Sequence, residues 1–514
     1  MPASLRPLGL AVLALVVVVM AAAGALPRWP GLVHAVAIPP LDLGFDLRLL
    51  AARAHTWQAF AVGALVSVAA RSALLAFLLG PGRAGAGFWA RYRSAIRLYL
   101  GAVVPLAAGA LLEFAGLAAV YAWYAWVGLG LSLAAVVIGT RRLSRVAGGT
   151  RSARLHGLFL YLAGLVVLGA LARTGPWAAV VLVALSAALT WWTLHGSAAL
   201  RRRRHAALAL TLVLVPGTSP GPAVLVGQQR PQQRPVLFLV PGVDTSSGYG
   251  SLYGLDPRGI GFPCDRVYYY SYRGPRPPAP RAPKDRTAQQ GEAVCPIRLH
   301  EPYVREDTQR PLAELTATLA GQLAAIAQTT GGAPVVIVTH SQGAAIAWQV
   351  IATGQATGIS HVIALAGFGH TPVAYPPPGL AGEGRVGADV LRVLSWISRT
   401  LGIGTFDPDA PLARELLARA DGLESVFAQP LPPGTRAVTL LTTFDVVAAP
   451  EGQEVPGVPA GIIDTTHTGV IDSPEAGIAA RSVLAGGEDL DRSPAAFVLQ
   501  WILPAWLPPA ADPP

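Results

Sequence analysis

From Pro334 to Ala347 the chain reads Pro-Val-Val-Ile-Val-Thr-His-Ser-Gln-Gly-Ala-Ala-Ile-Ala, and this stretch restricts the fold more than any other. The β-branched run Val335 to Val338 is continuous, the pattern of a strand covered on both faces, as in a parallel sheet. An Ala/Ile-rich helical pattern follows at once. A strand that passes directly into a helix needs a very tight turn, so the residues two before and two after the apex must be small. The apex side chain then stands clear, with its hydroxyl at the N-terminus of the new helix. That geometry is a nucleophile elbow, usually written G-x-S-x-G. Ser341 is the apex and Gly343 fills the last position, while Thr339 stands where the pattern has its first glycine.

The residues before this stretch follow a different chemistry. The chain is 52% hydrophobic and 13% charged, against about 25% charged in ordinary globular domains. Nearly all the long uncharged runs lie between Met1 and Val215. Net charge is +10, carried by arginine, since Lys284 is the only lysine. The N-terminal arginines sit in short clusters between apolar runs. Cytoplasmic loops of membrane proteins have this pattern, so nucleic acid is not expected as a partner.

Apolar runs at Leu8 to Leu26, Trp57 to Gly80, Tyr99 to about Ala119, Trp126 to Gly139, Gly157 to Ala172 and Trp177 to Leu200 are each read as a span. The Tyr121 to Trp126 cluster would mark an interface. Arg83, Arg91, Arg93 and Arg97 are read as one loop and Arg141, Arg142, Arg145, Arg151 and Arg154 as another; Arg201 to Arg204 follow the sixth span. Alternate loops carry only Arg28, Arg48, Arg53 and Arg173, so six spans with the N-terminus inside satisfy every loop. Ala206 to Gly227 is uncharged but broken by Pro216 to Pro222; as a seventh, irregular span it would put the remainder of the chain outside the cell. Arg71 and Glu113 fall within spans, roughly 10 Å apart in depth. A satisfied contact within the bundle, or snorkelling, is expected for each rather than mutual pairing.

The C-terminal half reads as strands alternating with helices. Pro235 to Pro241, Arg266 to Tyr272, His361 to Ala366 and Thr435 to Leu441 are strand patterns, and Leu312, Leu315, Leu319, Leu323 and Ile326 form one face of a helix beginning near Thr308. Such alternation implies β-α-β units and a doubly wound, mostly parallel sheet. The proline-rich Gly274 to Lys284 is read as a surface loop. The expected division is an all-α transmembrane bundle of six or seven helices over 1–227 and an α/β unit over 228–514, with an insertion at about 371–434. Cys264 and Cys295 are either free thiols or one disulfide, the latter requiring an oxidising compartment. No Cys/His spacing suggests a metal site.

Leu239-Val-Pro-Gly242 and Thr339-His-Ser-Gln-Gly343 together resemble an α/β-hydrolase, and within that fold lipases whose elbow reads T-x-S-Q-G. The resemblance covers about half the chain and has no counterpart for the membrane half. It implies a chain order of serine, acid, histidine. Ser341 is then the nucleophile. His467, in a glycine-containing loop before a helical pattern, is the base, because His361 and His370 come too early. Asp445, just after a strand, is preferred as the acid over Asp464 and Asp472, which share the His467 loop. The main-chain N–H groups of Val243 and Gln342 are expected to form the oxyanion hole. The resembling lipases often have a hydroxyl residue at the position of Val243. His340, adjacent in the elbow, is rejected as the base. The insertion would form a cap, with apolar residues such as Leu391, Leu394 and Trp396 facing an acyl chain or packing on the sheet.

The expected activity is therefore a membrane-anchored serine hydrolase of carboxylic esters, with a hydrophobic ester or lipid as substrate, the bilayer as partner and no cofactor. Acyl transfer by the same triad is one alternative. A transporter or scaffold with a non-catalytic hydrolase-like half is another.

Overall fold

A computed structural model describes residue 37 and residues 39–78, 87–118, scattered positions between 127 and 190, 234–276, 292–367, 369, 376–402, 404–416, 422–442, 455–463 and 465–487. The expected first span, the Ala206 to Gly227 segment and Asp445 lie outside the described residues.

Three N-terminal helices pack on one another: α1 (Leu41–Arg53), α2 (Trp57–Leu78) and α3 (Phe88–Ala118). Two of them contain stretches long and apolar enough to cross a membrane, Trp57–Phe77 and Phe88–Leu112. The other expected spans are not seen as whole helices among the described residues, so a bundle of six or seven spans is not shown. Helix α3 starts well before the expected Tyr99, which makes Arg91, Arg93 and Arg97 helical rather than part of a loop. Arginine is a good helix former whose stem lets the charge reach outward. Arg91 also donates from Nε to the Ala76 carbonyl, one of the last-turn acceptors of α2 that has no intrahelical partner.

Helix α1 is too charged to read as a span, yet Leu43, Leu47 and Ala51 bury one of its faces against α2 and α3. Its carboxylates answer Arg71. The guanidinium donates two hydrogen bonds to Asp46, Nε to Oδ2 at 2.9 Å and Nη2 to Oδ1 at 2.7 Å, and its Nη1 lies 3.8 Å from Asp42. Tyr99 donates to Asp42 at 2.7 Å. Arg71 thus has a satisfied contact within the bundle, with partners on α1; the side chain of Glu113 is not among those described. By contrast, the outward face of α2 is apolar along most of its length, with Val62, Leu65, Val66 and Phe77 exposed. Charge inside and hydrocarbon outside reverses the usual arrangement of a helix facing water.

The second half is built on a six-stranded sheet with all strand pairs parallel, in the order β2-β1-β3-β4-β5-β6. The strands are β1 (Val236–Val240), β2 (Val267–Tyr269), β3 (Val335–His340), β4 (Ile359–Leu365), β5 (Arg436–Thr442) and β6 (Ala460–Ile463). Val236, Phe238, Val240, Val335 and Ile337 face one core with helices α4 (Leu312–Thr330) and α5 (Gly343–Ala352). Leu237, Leu239, Val336 and Val338 face the other core, with α9 (Pro474–Leu484). Two covered faces explain why the strands read as unbroken apolar runs. Parallel pairing, flanking helices and this strand order fit the α/β-hydrolase arrangement.

Local departures have local causes. Helix α4 begins at Leu312 rather than near Thr308, because Pro311 pushes Arg310 into an extended conformation. Thr308 instead donates to the Arg305 carbonyl within a 3₁₀ turn, Arg305–Gln309. Strand β6 is short and contains glycine, so no strand pattern marks it in the sequence. The insertion between β4 and β5 supplies α6 (Arg385–Thr400), α7 (Pro411–Leu416) and α8 (Gly422–Phe427). Cys264 and Cys295 are joined by a disulfide, which ties the entry of β2 to the segment beyond it.

His300 is buried beneath the sheet edge. Nδ1 donates to the Tyr269 carbonyl at 3.2 Å, so the neutral ring accepts at Nε2 from the Ser247 hydroxyl, 2.9 Å away. Burial lowers its pKa from 6.5 to about 4. The unfolded chain therefore takes up a proton below pH 6.5 that the folded ring refuses until about pH 4. Its contribution is fully present above pH 6.5 and lost as pH falls through that window, about 3 kcal/mol in all. Denaturant midpoints measured from pH 7 to pH 4 are expected to fall, and His300→Gln should flatten that slope.

Candidate active site

Ser341 terminates β3 and immediately precedes Gln342, the N-cap residue of α5. Its backbone is left-handed, φ +56°, a conformation that non-glycine residues reach at a cost of about 1–3 kcal/mol. The turn is held by Ser341 N–H donating to the Leu365 carbonyl at 3.1 Å and Ala344 N–H donating to the Ser341 carbonyl at 3.1 Å. Gly343 is required by space: a Cβ there would sit 2.5 Å from the Val240 carbonyl oxygen. Thr339, at the first small position, is accommodated within β3, paired with Val240 and Ala364.

The turn after β1 lies against this elbow. A Cβ on Gly242 would come 2.9 Å from the Ser341 Cβ and 3.1 Å from the His340 carbonyl oxygen. The adjoining carbonyls are directed away by hydroxyl donors. Tyr272 donates to the Pro241 carbonyl at 2.6 Å, and Thr245 donates to that of Gly242 at 2.9 Å. The N–H of Val243 belongs to the same planar peptide unit as the Gly242 carbonyl and points the opposite way. Fixing that carbonyl therefore fixes the donor. Among the described residues, neither Val243 N–H nor Gln342 N–H donates a main-chain hydrogen bond outside the helices and strands. Asp244, with φ +64°, completes the turn by accepting at Oδ1 from Thr405 N–H at 3.0 Å and Thr405 Oγ1 at 2.6 Å.

His467 is buried in the loop between β6 and α9. Strand β6 lies three positions from β3, about 14 Å at ordinary strand spacing. The loop nevertheless returns to the elbow: His340 donates from Nε2 to the His467 carbonyl at 2.9 Å, and the two rings are 4.8 Å apart. With that proton on Nε2, Nδ1 accepts from the Ser251 hydroxyl at 3.0 Å. Both ring nitrogens of His340 are thus engaged, which disqualifies it as the base. It does not point away from the site, however; it holds the His467 loop. Sequence reasoning missed this tie and the Tyr272 and Thr245 donors, because nothing in their spacing announces a partner so far along the chain.

The structure brings Val243, Ser341, Gln342 and His467 to the C-terminal edge of the sheet, beside the switch point between β1 and β3. That edge is where open α/β sheets bind their ligands. Ser341 Oγ is buried and has no hydrogen-bond partner, so a bond to His467 is not formed here. In unliganded sites such bonds often close only around substrate. Asp445 and Asp464 lie outside the described residues, and Asp472 is exposed. A cleft of about 1160 Å³ is lined by Ser246, Arg305, Thr405 and Asp407 but by none of the four site residues.

No protein-family model and no curated protein matches the sequence. Among solved structures, the chain is similar to a lipase of Bacillus licheniformis, 16% identical, covering 48% of this chain and 90% of its own, TM-score 0.28. A phospholipase of Legionella pneumophila is 10% identical over 52% of this chain and 62% of its own, TM-score 0.33. A 2-hydroxy-6-oxo-6-phenylhexa-2,4-dienoate hydrolase of a Rhodococcus species is 13% identical over 48% and 88%, TM-score 0.28.

Because a Cβ at position 343 would press on the carbonyl oxygens of Val240 and Pro241, 2.5 and 3.0 Å away, Gly343→Ala is expected to destabilise the sheet half by about 1–3 kcal/mol. A lowered denaturant midpoint with an unchanged m-value would register it. Gly354→Ala, at a helix end where a Cβ meets open space, should act only through its positive φ and cost less.

Proposed function

We propose that this chain is a membrane-anchored serine hydrolase of carboxylic esters, with a transmembrane unit over 1–227 and a hydrolase unit over 228–514. Ser341 attacks the ester carbonyl while His467 takes its proton. The proton then passes to the leaving alcohol, and water releases the acyl group by the same steps in reverse order. Asp445 is assigned to orient His467, and the Val243 and Gln342 N–H groups to receive the negative oxygen of the tetrahedral intermediate. Neither metal nor cofactor enters the scheme.

The observation that carries this reading is the strained serine at the head of α5, set against a turn whose carbonyls are tied back and whose N–H is left over. The strain stands the Ser341 hydroxyl at the head of α5, beside the turn that carries the Val243 N–H. The apolar outward face of α2 supports anchoring. The Cys264–Cys295 disulfide supports an extracytoplasmic hydrolase unit, since such bonds persist in oxidising compartments.

Ser341→Ala in the purified chain is expected to lower cleavage of short p-nitrophenyl esters by at least about 10³-fold and to abolish labelling by a fluorophosphonate. Wild-type rates in that variant would refute the assignment. A membrane-impermeant fluorophosphonate that labels intact cells would establish the side on which the site lies.

A further inference from the structure

Helix α6 belongs to the insertion between β4 and β5 but packs on the N-terminal helices. Val386 lies in the same apolar cluster as Leu47, Ala51, Phe60 and Leu106. The helix is also stitched to the turn between α1 and α2. Glu383 pairs with Arg53, Gly382 N–H donates to the His55 carbonyl at 3.1 Å, and Trp57 Nε1 donates to Asp389 at 3.0 Å. Its own charges are neutralised within the insertion: Arg385 pairs with Asp389, Arg392 with Asp389 and Asp409, and Arg399 with Asp407.

Three of the residues that remain outward are large and apolar. Val393 and Trp396 are 56% and 61% exposed, and Leu401, just past the helix, is 67% exposed. Val393 and Trp396 follow Asp389 by four and seven residues, so they continue the stripe that begins at the Trp57 contact. Trp57 is the first residue of α2, whose outward face then runs apolar to Phe77. The exposed stripe of α6 therefore adjoins the end of a helix with a hydrocarbon-facing surface.

We propose that α6 lies in the membrane–water interface, with Val393, Trp396 and Leu401 seated among phospholipid headgroups and upper acyl chains beside the Trp57 end of α2. Tryptophan with arginine beside it on the same exposed side, Arg392 and Arg399 next to Trp396, suits that layer, where an indole and a guanidinium both reach the headgroups. The inference rests on reading α2 as a span. It has a consequence for the site: a few residues after α6, Thr405 binds Asp244, which directly follows the oxyanion donor Val243. The catalytic edge is thereby tied to the leaflet surface, and the substrate is an ester lipid taken from that leaflet.

Both native cysteines are in the disulfide, so an introduced cysteine is the only thiol. The full chain is reconstituted into phosphatidylcholine vesicles with an environment-sensitive fluorophore at Trp396→Cys, Leu65→Cys or Ile478→Cys. Lipids carrying a spin label near the headgroup or deep in the acyl chain serve as quenchers. The label at position 396 is expected to be quenched by the shallow lipid, that at 65 by the deep lipid, and that at 478, on exposed α9, by neither. Quenching at 65 but none at 396 overturns the proposal and leaves the spanning reading intact. No quenching at 65 overturns both. In a second measurement, Val393→Ser combined with Trp396→Ser should lower cleavage of a vesicle-borne ester by at least about tenfold and leave that of soluble p-nitrophenyl acetate unchanged. An equal loss on both substrates would mean misfolding or a direct catalytic effect and would refute the interfacial role.

Discussion

The close approach of β1 and β3 at their C-terminal ends governs the rest of the site. Two glycines permit it. At position 343 a Cβ would meet the Val240 carbonyl oxygen, and at position 242 it would meet the elbow itself. Without side chains there, the turn after β1 and the turn after β3 share one small volume. Ser341 then lies directly against the turn that carries the Val243 N–H, with no long side chain between them. In the proposed reaction the polarity would come from rigid main chain, which costs no reorganisation when charge develops.

A second layer fixes that polarity in direction. Tyr272 and Thr245 bind the carbonyls of the turn after β1, Asp244 is held by Thr405, and His340 bridges Ser251 to the His467 loop. Each tie joins segments distant in sequence. The buried tyrosines around them (Tyr253, Tyr269, Tyr303) supply bulk for packing and hydroxyls for the network at once. The N-terminal helices use the opposite economy, with Arg71, Asp42, Asp46 and Tyr99 inside and aliphatic residues outside. Helix α6 joins the two environments.

Much of this was legible beforehand because its causes are local. The elbow showed as β-branched residues running into small ones, and β1 and α4 showed as a continuous run and a three-and-four spacing. His467 stood out by its place in chain order. The start of α3 departs from the expected Tyr99 because arginines beside an apolar run read as a loop by hydropathy, while helix propensity carries the helix through them. Helix α1 was overlooked because its four charges hide an apolar stripe whose carboxylates make sense only opposite Arg71. Strand β6 was overlooked because four residues with a glycine have no pattern to show.

The sequence by itself determined the parallel sheet, the tight strand-to-helix turn at Ser341, and the concentration of apolar runs before residue 215. Those follow from residue type and spacing over a few positions. Only the tertiary structure decided that the two cysteines bridge, that Arg71 binds α1, that His340 braces His467, and that an insertion from the sheet half docks on the N-terminal helices. Such pairings depend on which distant segments the fold brings within a few ångströms of each other, and nothing in a linear order of side chains encodes that distance directly.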